Sequence, residues 1–278
     1  MMRAALVALV AGTVLTALTG CGIRIVKYEF SDDYVVSETF TSVRARNGSG
    51  DVTIRYQEGL TGTKVHRRVE HAKNNKPGGT THRVEGDTLV LDTCGDNCEA
   101  NYEVLVPAAG IRVVGDVGSG DAVVEGLASV EYATGSGDIT TLDISGDVKV
   151  NTGSGNFRAT RVGGTVTADL GSGHIELNTV KGKLLAVTRS GDIDGSSLSG
   201  EVIADASSGR VELIMAEPRS VRVNSGSGDV DVRVPGGPYR ITGVSGSGDR
   251  DIQVATAPDA PLELNLTTGS GEVRVLAI

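Results

Sequence analysis

The sequence predicts an all-β fold, a parallel β-solenoid of repeated rungs, and three regularities carry this prediction. Glycine recurs every nine residues through the middle of the chain, and the phrase Ser-Gly-x recurs every eighteen. An apolar residue follows each of these glycines by two positions, as in half-buried strands bounded by turns. Helices are disfavoured because glycine, at 39 of 278 residues, is costly inside them. The glycines of this repeat are Gly137, Gly146, Gly155, Gly164, Gly173, Gly182, Gly191, Gly200 and Gly209.

The chain begins with a segment typical of export signals. An uncharged run, Ala4 to Leu18, follows the positive start at Arg3 and is too short for a comfortable membrane span. Leu18-Thr19-Gly20-Cys21 resembles the bacterial lipobox, which implies cleavage after residue 20 and lipidation of Cys21. We therefore expect a signal peptide (1–20), a lipidated tether (21–34) and an exported protein anchored to the cell envelope. The outer membrane is favoured because Gly22, rather than Asp, follows the cysteine.

Residues 35–110 are predicted to be a β-structured cap continuous with the solenoid, because a stack of rungs needs its open apolar end covered. Alternating patterns predict strands over 43–56, 64–71, 82–92 and 101–106, with a loop at 74–79.

Two cysteines, Cys94 and Cys98, lie within this cap. In an exported protein a disulfide is the favoured interpretation. The alternatives are free thiols or a zinc site with His66, His71 and His82 upstream, although the spacing of these residues matches no common zinc motif.

Residues 111–278 are predicted to form the solenoid. One set of apolar positions recurs only every eighteen residues, whereas the glycines recur every nine. The repeating unit, or rung, therefore has eighteen residues in two different halves, and each half is a short strand and a turn. Right-handed winding follows from the crossover preference of parallel strands. The repeated glycines are expected at turns that require positive φ. Rungs are expected to stack in chain order, which makes Glu272–Ile278 the exposed last strand.

The run from Asn101 to Pro107 into Gly118-Ser119-Gly120-Asp121, and then Gly135-Ser136-Gly137-Asp138, resembles the bacterial "putative adhesin" β-strand-repeat family, related to head-GIN domains. The resemblance covers about residues 40–278. It implies a parallel β-helix and no established enzymatic activity.

The residue directly after many of the Ser-Gly pairs is acidic. A row of bound calcium ions would need an oxygen ligand at this position in every rung, but Arg210 and His174 occupy it in two of them. The C-terminal members Asp229, Asp249 and Glu272 are the candidate position for a divalent cation, and no cofactor is otherwise expected.

The sequence predicts a non-enzymatic interaction or structural protein of the cell envelope. A net charge of −9 disfavours nucleic acid as a partner. The expected partners are a membrane, through the lipid, and an envelope or surface macromolecule. The alternatives are a periplasm-facing scaffold or stress component, and a polysaccharide-active β-helix enzyme. The enzyme would use carboxylate pairs such as Asp192/Asp194, Asp229/Asp231 and Asp249/Asp251, although aromatic platforms for sugars are scarce.

Overall fold

The computed structural model describes residues 27–278, which form 25 β-strands and no helix, so the all-β prediction is confirmed. Among these residues no helix is long and apolar enough to cross a membrane. The predicted signal peptide and Cys21 lie outside the described residues.

The strands are β1 (Lys27–Val36), β2 (Ser42–Arg46), β3 (Val52–Tyr56), β4 (Thr63–Ala72), β5 (His82–Glu85), β6 (Thr88–Asp92), β7 (Cys98–Val106), β8 (Arg112–Ser119), β9 (Ala122–Glu125), β10 (Ser129–Ser136), β11 (Ile139–Ile144), β12 (Val148–Ser154), β13 (Phe157–Val162), β14 (Val166–Ser172), β15 (Ile175–Val180), β16 (Leu184–Ser190), β17 (Ile193–Leu198), β18 (Val202–Ser208), β19 (Val211–Met215), β20 (Val221–Ser225), β21 (Val230–Val234), β22 (Arg240–Thr242), β23 (Arg250–Gln253), β24 (Glu263–Thr268) and β25 (Val273–Ala277).

The strands form two long sheets. Sheet A has 13 strands in the order β1-β4-β7-β3-β9-β11-β13-β15-β17-β19-β21-β25-β23, and sheet B has 12 in the order β22-β24-β20-β18-β16-β14-β12-β10-β8-β2-β6-β5. Successive strands alternate between the sheets through the middle of the chain. All named strand pairs are parallel except β1–β4, β4–β7 and β5–β6, near the N-terminal end. This is a solenoid-like architecture.

The strand register follows the glycine repeat. Ile139 pairs with Phe157, which pairs with Ile175, so partners in this stretch of sheet A are 18 residues apart. Sheet B has the same offset from β10 to β18. Right-handed winding stays a prediction.

Alternate side chains point inward and form one hydrophobic core along both sheets. In β14, for example, Val166, Ala168 and Leu170 are at most 1% exposed, while the residues between them face outward. Small residues occupy one core column, at Ala168, Ala186 and Ala204.

The repeated glycines lie at two corners, for two physical reasons. Gly137, Gly155, Gly173, Gly191 and Gly209 have φ of 136–145°, as predicted, and a Cβ on Gly173 would also lie 1.9 Å from the carbonyl oxygen of Gly155. Gly146, Gly164, Gly182 and Gly200 do not have positive φ, so the prediction is wrong for them. These positions require glycine because neighbouring rungs stack too closely for a side chain: a Cβ on Gly182 would lie 2.3 Å from the carbonyl oxygen of Gly164.

A column of left-handed residues that are not glycine precedes the second corner. Asp143, Arg161, Thr179 and Ser197 have φ of 54–62°. This conformation is unusual for a β-branched residue such as Thr179. The sequence pattern does not reveal this column.

The N-terminal third differs from the prediction in three places. Strand β1 begins at Lys27 and pairs along its whole length with β4, so residues 27–34 belong to the sheet and the predicted tether is too long. The stretch 43–56 is two strands, β2 and β3, because the Gly48-Ser49-Gly50 corner turns the chain between the sheets. The stretch 82–92 is the hairpin β5–β6. The strands predicted at 64–71 and 101–106 are confirmed as β4 and β7.

The rungs at both ends depart from chain order. At the C-terminal end, β24–β25 lies between β20–β21 and β22–β23, so the last strands of the chain are internal and the predicted exposed strand at 272–278 is wrong. The physical reason is apolar content, since Leu264, Leu266, Val273 and Val275 are fully buried, whereas β22 and β23 have only three and four residues. At the other end β2–β3 lies between β6–β7 and β8–β9.

Candidate interaction surface

The outer face of sheet A is crossed by ion pairs between neighbouring strands. Arg158 on β13 contacts Glu176 on β15 at 2.6 Å, and Arg274 on β25 contacts Asp231 on β21 at 3.4 Å. Exposed pairs of this kind contribute little stability individually. On strands β13 to β21 they give each outward charge a partner within the protein itself.

The outer face of sheet B carries an aliphatic cluster at the middle of the rod. Leu185 on β16 pairs directly with Ile203 on β18, and Val187 lies two residues along β16 on the same face. Val187 is 37% exposed, and Leu185 and Ile203 are half-buried. We call these three residues the mid-rod patch. Sequence reasoning missed it, although aliphatic residues at outward positions of the repeat are its signal.

The strands beside the mid-rod patch present charges that are not neutralised locally. Asp169 on β14 and Arg222 on β20 are exposed, and neither has an opposite charge within 4 Å among the described residues. Asp205 accepts a hydrogen bond from Asn224 Nδ2 at 2.7 Å. An apolar centre with a polar rim is the usual composition of a macromolecular interface.

The acidic residues of the repeat stabilise the stacking of rungs. Asp121 Oδ1 accepts the backbone N–H of Asp138 at 2.8 Å, and Asp138 Oδ1 accepts that of Asn156 at 2.7 Å. Asn156 Oδ1 in turn accepts the N–H of His174 at 2.9 Å. Aspartate and asparagine serve equally because both offer a side-chain oxygen. We call this column the acceptor ladder.

His174 and Arg210 interrupt the acceptor ladder and turn toward one carboxylate. His174 Nε2 lies 3.0 Å from Asp194 Oδ2, and Arg210 Nη2 lies 3.8 Å from Asp194 Oδ1. Burial raises the pKa of the Asp194 carboxyl, although His174 and Arg210 oppose this shift. Asp194 Oδ1 is buried and has no hydrogen-bond partner among the described atoms.

The candidate cation residues do not converge. Asp229 Oδ1 accepts the N–H of Glu272 at 2.8 Å, which is a role in the acceptor ladder. Asp249 belongs to the outer rung beyond Glu272. Across residues 27–278, no three His, Cys, Asp or Glu side chains lie close enough to hold a metal ion.

The carboxylate pairs considered for catalysis are also engaged in the stack. Asp194 and Asp231 face His174 and Arg274, and Asp192 Oδ1 accepts the N–H of Arg210 at 2.8 Å.

Cys94 and Cys98 form a disulfide, so that prediction is confirmed and the zinc alternative is wrong. Two of the three histidines have specific partners. His66 Nδ1 lies 2.8 Å from Asp33 Oδ1, and His71 Nδ1 lies 2.8 Å from the carbonyl oxygen of Ala72. Burial lowers the pKa of His82.

A buried ion pair lies in the core of the N-terminal end. Arg67 is 1% exposed; its Nε donates to Asp32 Oδ1 at 2.9 Å, and its Nη2 donates to Asp32 Oδ2. The Arg67 guanidinium also lies over the Phe30 ring, 5.6 Å from its centroid. A buried charge of this kind requires its partner.

The comparisons with known proteins concern this architecture. The Toastrack DUF4097 family profile matches residues 111–260, more than half of the chain. The chain belongs to the Toastrack DUF4097 family. The resemblance found in the sequence is thereby confirmed. No curated protein gives a significant match.

Several solved structures are similar to this chain. A "putative adhesin" from Parabacteroides distasonis ATCC 8503 is 16% identical, with 89% of this chain and 97% of that chain covered and a TM-score of 0.47. A "putative adhesin" from Bacteroides fragilis NCTC 9343 is 14% identical, with 92% and 100% covered and a TM-score of 0.40. A "putative lipid binding protein" from Parabacteroides distasonis ATCC 8503 is 14% identical, with 90% and 96% covered and a TM-score of 0.40. None of these descriptions names an enzymatic activity, and at such low identities and TM-scores the likenesses carry no argument about function.

Proposed function

We propose that this protein is a non-enzymatic, adhesin-like rod of the cell envelope that binds a macromolecule through the outer face of sheet B. The mid-rod patch carries this proposal, because it places partly exposed aliphatic side chains at the centre of a polar sheet face. On strands β13 to β21 of sheet A, at the same level of the rod, the outward charges already have ionic partners.

The arrangement of the ends supports a rod that stands away from a membrane. Lys27, where β1 begins, follows Cys21 by six residues, so lipidation of that cysteine would hold the β1 end of sheet A at the bilayer. Sheet A has 13 strands, and at about 4.8 Å per step its far edge lies roughly 58 Å from β1. The mid-rod patch would then lie well outside the lipid surface, within reach of a large partner.

Binding of the purified chain to isolated envelope fragments of the source organism tests this proposal. The double variant Leu185→Lys/Ile203→Glu, whose two charges are opposite, should weaken binding by at least about tenfold, because loss of a central apolar contact costs more than about 1.4 kcal/mol. Asn178→Glu is the matched control, since it adds a charge to the exposed outer face of sheet A.

All variants should retain the melting temperature of the parent within a few degrees, which separates lost binding from lost folding. Equal binding by the double variant and the parent would exclude the mid-rod patch as the docking surface. A loss caused equally by Asn178→Glu would show that charge, rather than the patch, controls binding.

A further inference from the structure

The charges around the mid-rod patch alternate in sign from strand to strand. Asp169 on β14, Arg189 on β16, Asp205 on β18 and Arg222 on β20 all lie on the outer face of sheet B. Within residues 27–278, none of these four side chains has an opposite charge within 4 Å. One acid and one base therefore lie on each side of the line between β16 and β18.

The apolar residues of the mid-rod patch lie between these charges. Leu185 pairs with Ile203 across the line between β16 and β18, and Ile203 pairs with Arg222 on the next strand. Asp169 pairs with Val187 in the neighbouring row. The patch is thus bordered along the rod by an unpaired acid on one side and an unpaired base on the other.

Two copies of the chain can place these faces together in two twofold arrangements. When the rods run in opposite directions, about an axis between β16 and β18, β16 of one copy faces β18 of the other and β14 faces β20. Asp169 then lies near Arg222 of the second copy, and Arg189 lies near Asp205 of the second copy, with each contact made twice. When the rods run in the same direction, every strand faces its own counterpart, so like charges lie at the same level and disfavour that pair.

The size of this face suits a weak contact that many copies reinforce. The eight strands from β10 to β22 lie four on each side of the same axis. They measure about 34 Å along the rod and about 17 Å along the strands. Two copies would bury roughly 1,100 Å² in total, at the low end of specific interfaces. Such a contact becomes strong when many copies on one surface meet many copies on another.

We propose that the mid-rod patch binds a second copy of this chain, with the two rods antiparallel. This pairing rests on the function proposed above, whose partner it names. Leu185 of each copy packs on Ile203 of the other. The N-terminal ends of the two B sheets lie about 70 Å apart, at opposite ends of the pair. Lipid anchors at Cys21 would then lie in two opposed membranes, so the protein joins envelopes through copies of itself.

Charge-swap variants of residues 22–278 test the pairing in solution, with sedimentation equilibrium as the measure of the dissociation constant. Asp169→Arg and Arg222→Asp each bring like charges together in the antiparallel pair, so each should weaken self-association by at least about tenfold. The double variant Asp169→Arg/Arg222→Asp restores opposite charges and should associate like the parent. An equimolar mixture of the two single variants should associate as well, because each supplies the charge that the other lacks.

Two control variants make the same charge changes away from sheet B. Glu58→Arg alters an exposed loop residue, and Arg68→Asp alters an exposed position of β4 in sheet A. Both should associate like the parent, and unchanged melting temperatures show that folding is intact. A parent that stays monomeric at millimolar concentration, a double variant that does not recover, or equal losses in the controls would overturn the pairing.

Vesicle clustering tests the orientation of the two rods. A histidine tag ahead of residue 22 holds the chain on phosphatidylcholine vesicles that contain a nickel-chelating lipid, at the end where the natural anchor is predicted. Vesicles that carry the parent should cluster. Vesicles with Asp169→Arg should cluster only when they are mixed with vesicles that carry Arg222→Asp. A parent that dimerises in solution but leaves the vesicles dispersed would overturn the antiparallel arrangement.

Envelope fragments from cells that lack this protein separate the second copy from other partners. The purified chain should fail to bind these fragments, because the second copy is missing. Undiminished binding that Leu185→Lys/Ile203→Glu still weakens would overturn the second copy as partner and keep the mid-rod patch as the docking surface. Binding that this double variant leaves unchanged would overturn both.

Discussion

The aspartates of the Gly-Ser-Gly-Asp phrase have a structural role at the scale of single residues. Each carboxylate that continues the acceptor ladder accepts the backbone N–H of the residue at the same position in the next rung, as Asp138 does for Asn156. The same hydrogen bond forms even where the two residues are 43 positions apart in the sequence, as between Asp229 Oδ1 and the N–H of Glu272 at 2.8 Å. The motif therefore encodes a contact between rungs.

Replacement of Asp138 tests this role. Asp138→Ala should lower the free energy of unfolding by about 1 kcal/mol, because the N–H of Asn156 loses its acceptor. Asp138→Asn should be nearly neutral, since an amide oxygen can accept the same hydrogen bond. Denaturant titration measures both values. Equal destabilisation by both changes would mean that the negative charge matters and not the acceptor.

The glycines give a second prediction at this scale. Gly59 and Gly173 both have positive φ, but a Cβ on Gly59 meets nothing within 4 Å, whereas one on Gly173 meets the backbone of Gly155 in the preceding rung. Gly59→Ala should cost about 1 kcal/mol, from backbone strain alone. Gly173→Ala should cost at least about 3 kcal/mol, because overpacking is added to that strain. Thermal unfolding of the two variants measures the difference, and Arg158→Ala, on an exposed face, is the neutral reference. Equal melting temperatures for Gly59→Ala and Gly173→Ala would refute the close approach of rungs.

At the scale of strands, the outer face of sheet A contains a group that opposes folding as well as ion pairs. Asp194 on β17 has two basic neighbours, yet burial raises the pKa of its carboxyl. The folded protein then holds this proton more tightly than the unfolded chain does. Asp194 therefore opposes folding once the pH is high enough to ionise it in the unfolded chain, and this effect is absent at more acidic pH.

Asp194→Asn should raise the melting temperature at pH 7, because an uncharged amide avoids the cost of a buried carboxylate. The gain should shrink as the pH falls to the ordinary range for aspartate, where the carboxyl is protonated in both states. Melting curves of the variant and the parent across this pH range measure the effect. A variant that is less stable at pH 7, with a deficit that grows as the pH rises, would show that the contacts with His174 and Arg210 outweigh burial.

Sequence periodicity predicts the central strands well and the ends poorly. Strands such as β13 and β15 follow directly from the glycine step, because neighbouring rungs repeat the same pattern of apolar residues. The order of β22–β23 and β24–β25 cannot be read this way, since both segments carry the Ser-Gly phrase and only their buried apolar area decides which becomes internal. The buried pair of Asp32 and Arg67 was missed for a similar reason, because alternation alone marks them as ordinary polar positions. The mid-rod patch lies outside the inward apolar columns, so the periodicity that marks the core does not mark it.

At the scale of the whole molecule, the C-terminal rungs are not stacked in chain order, and this makes the outer rung depend on the inner one. The outer C-terminal rung β22–β23 pairs only with β24–β25, and that internal rung is made by the last residues of the chain. The outer rung therefore has its pairing partners only once residues 263–277 are in place. A solenoid stacked in chain order would lose just its outermost rung on truncation.

Removal of residues 263–278 distinguishes these two arrangements. The truncated chain should become sensitive to protease throughout 235–262, because that segment loses the strands on which it packs. A chain that ends at Ala277 is the control, since Ile278 is 64% exposed. Limited proteolysis followed by mass spectrometry locates the cuts. Continued protection of 235–253 in the truncated chain would favour rungs stacked in chain order.

The proposed function requires an anchored rod that presents a sheet face to a partner outside the cell. Protease treatment of intact cells, with an epitope tag placed after Ile278, tests this most directly. We expect loss of the tag while periplasmic control proteins remain intact, because the tagged end would lie far from the anchor on the outer side of the envelope. Protection of the tag until the envelope is broken would contradict the adhesin-like function and place the rod, with its partner, in the periplasm.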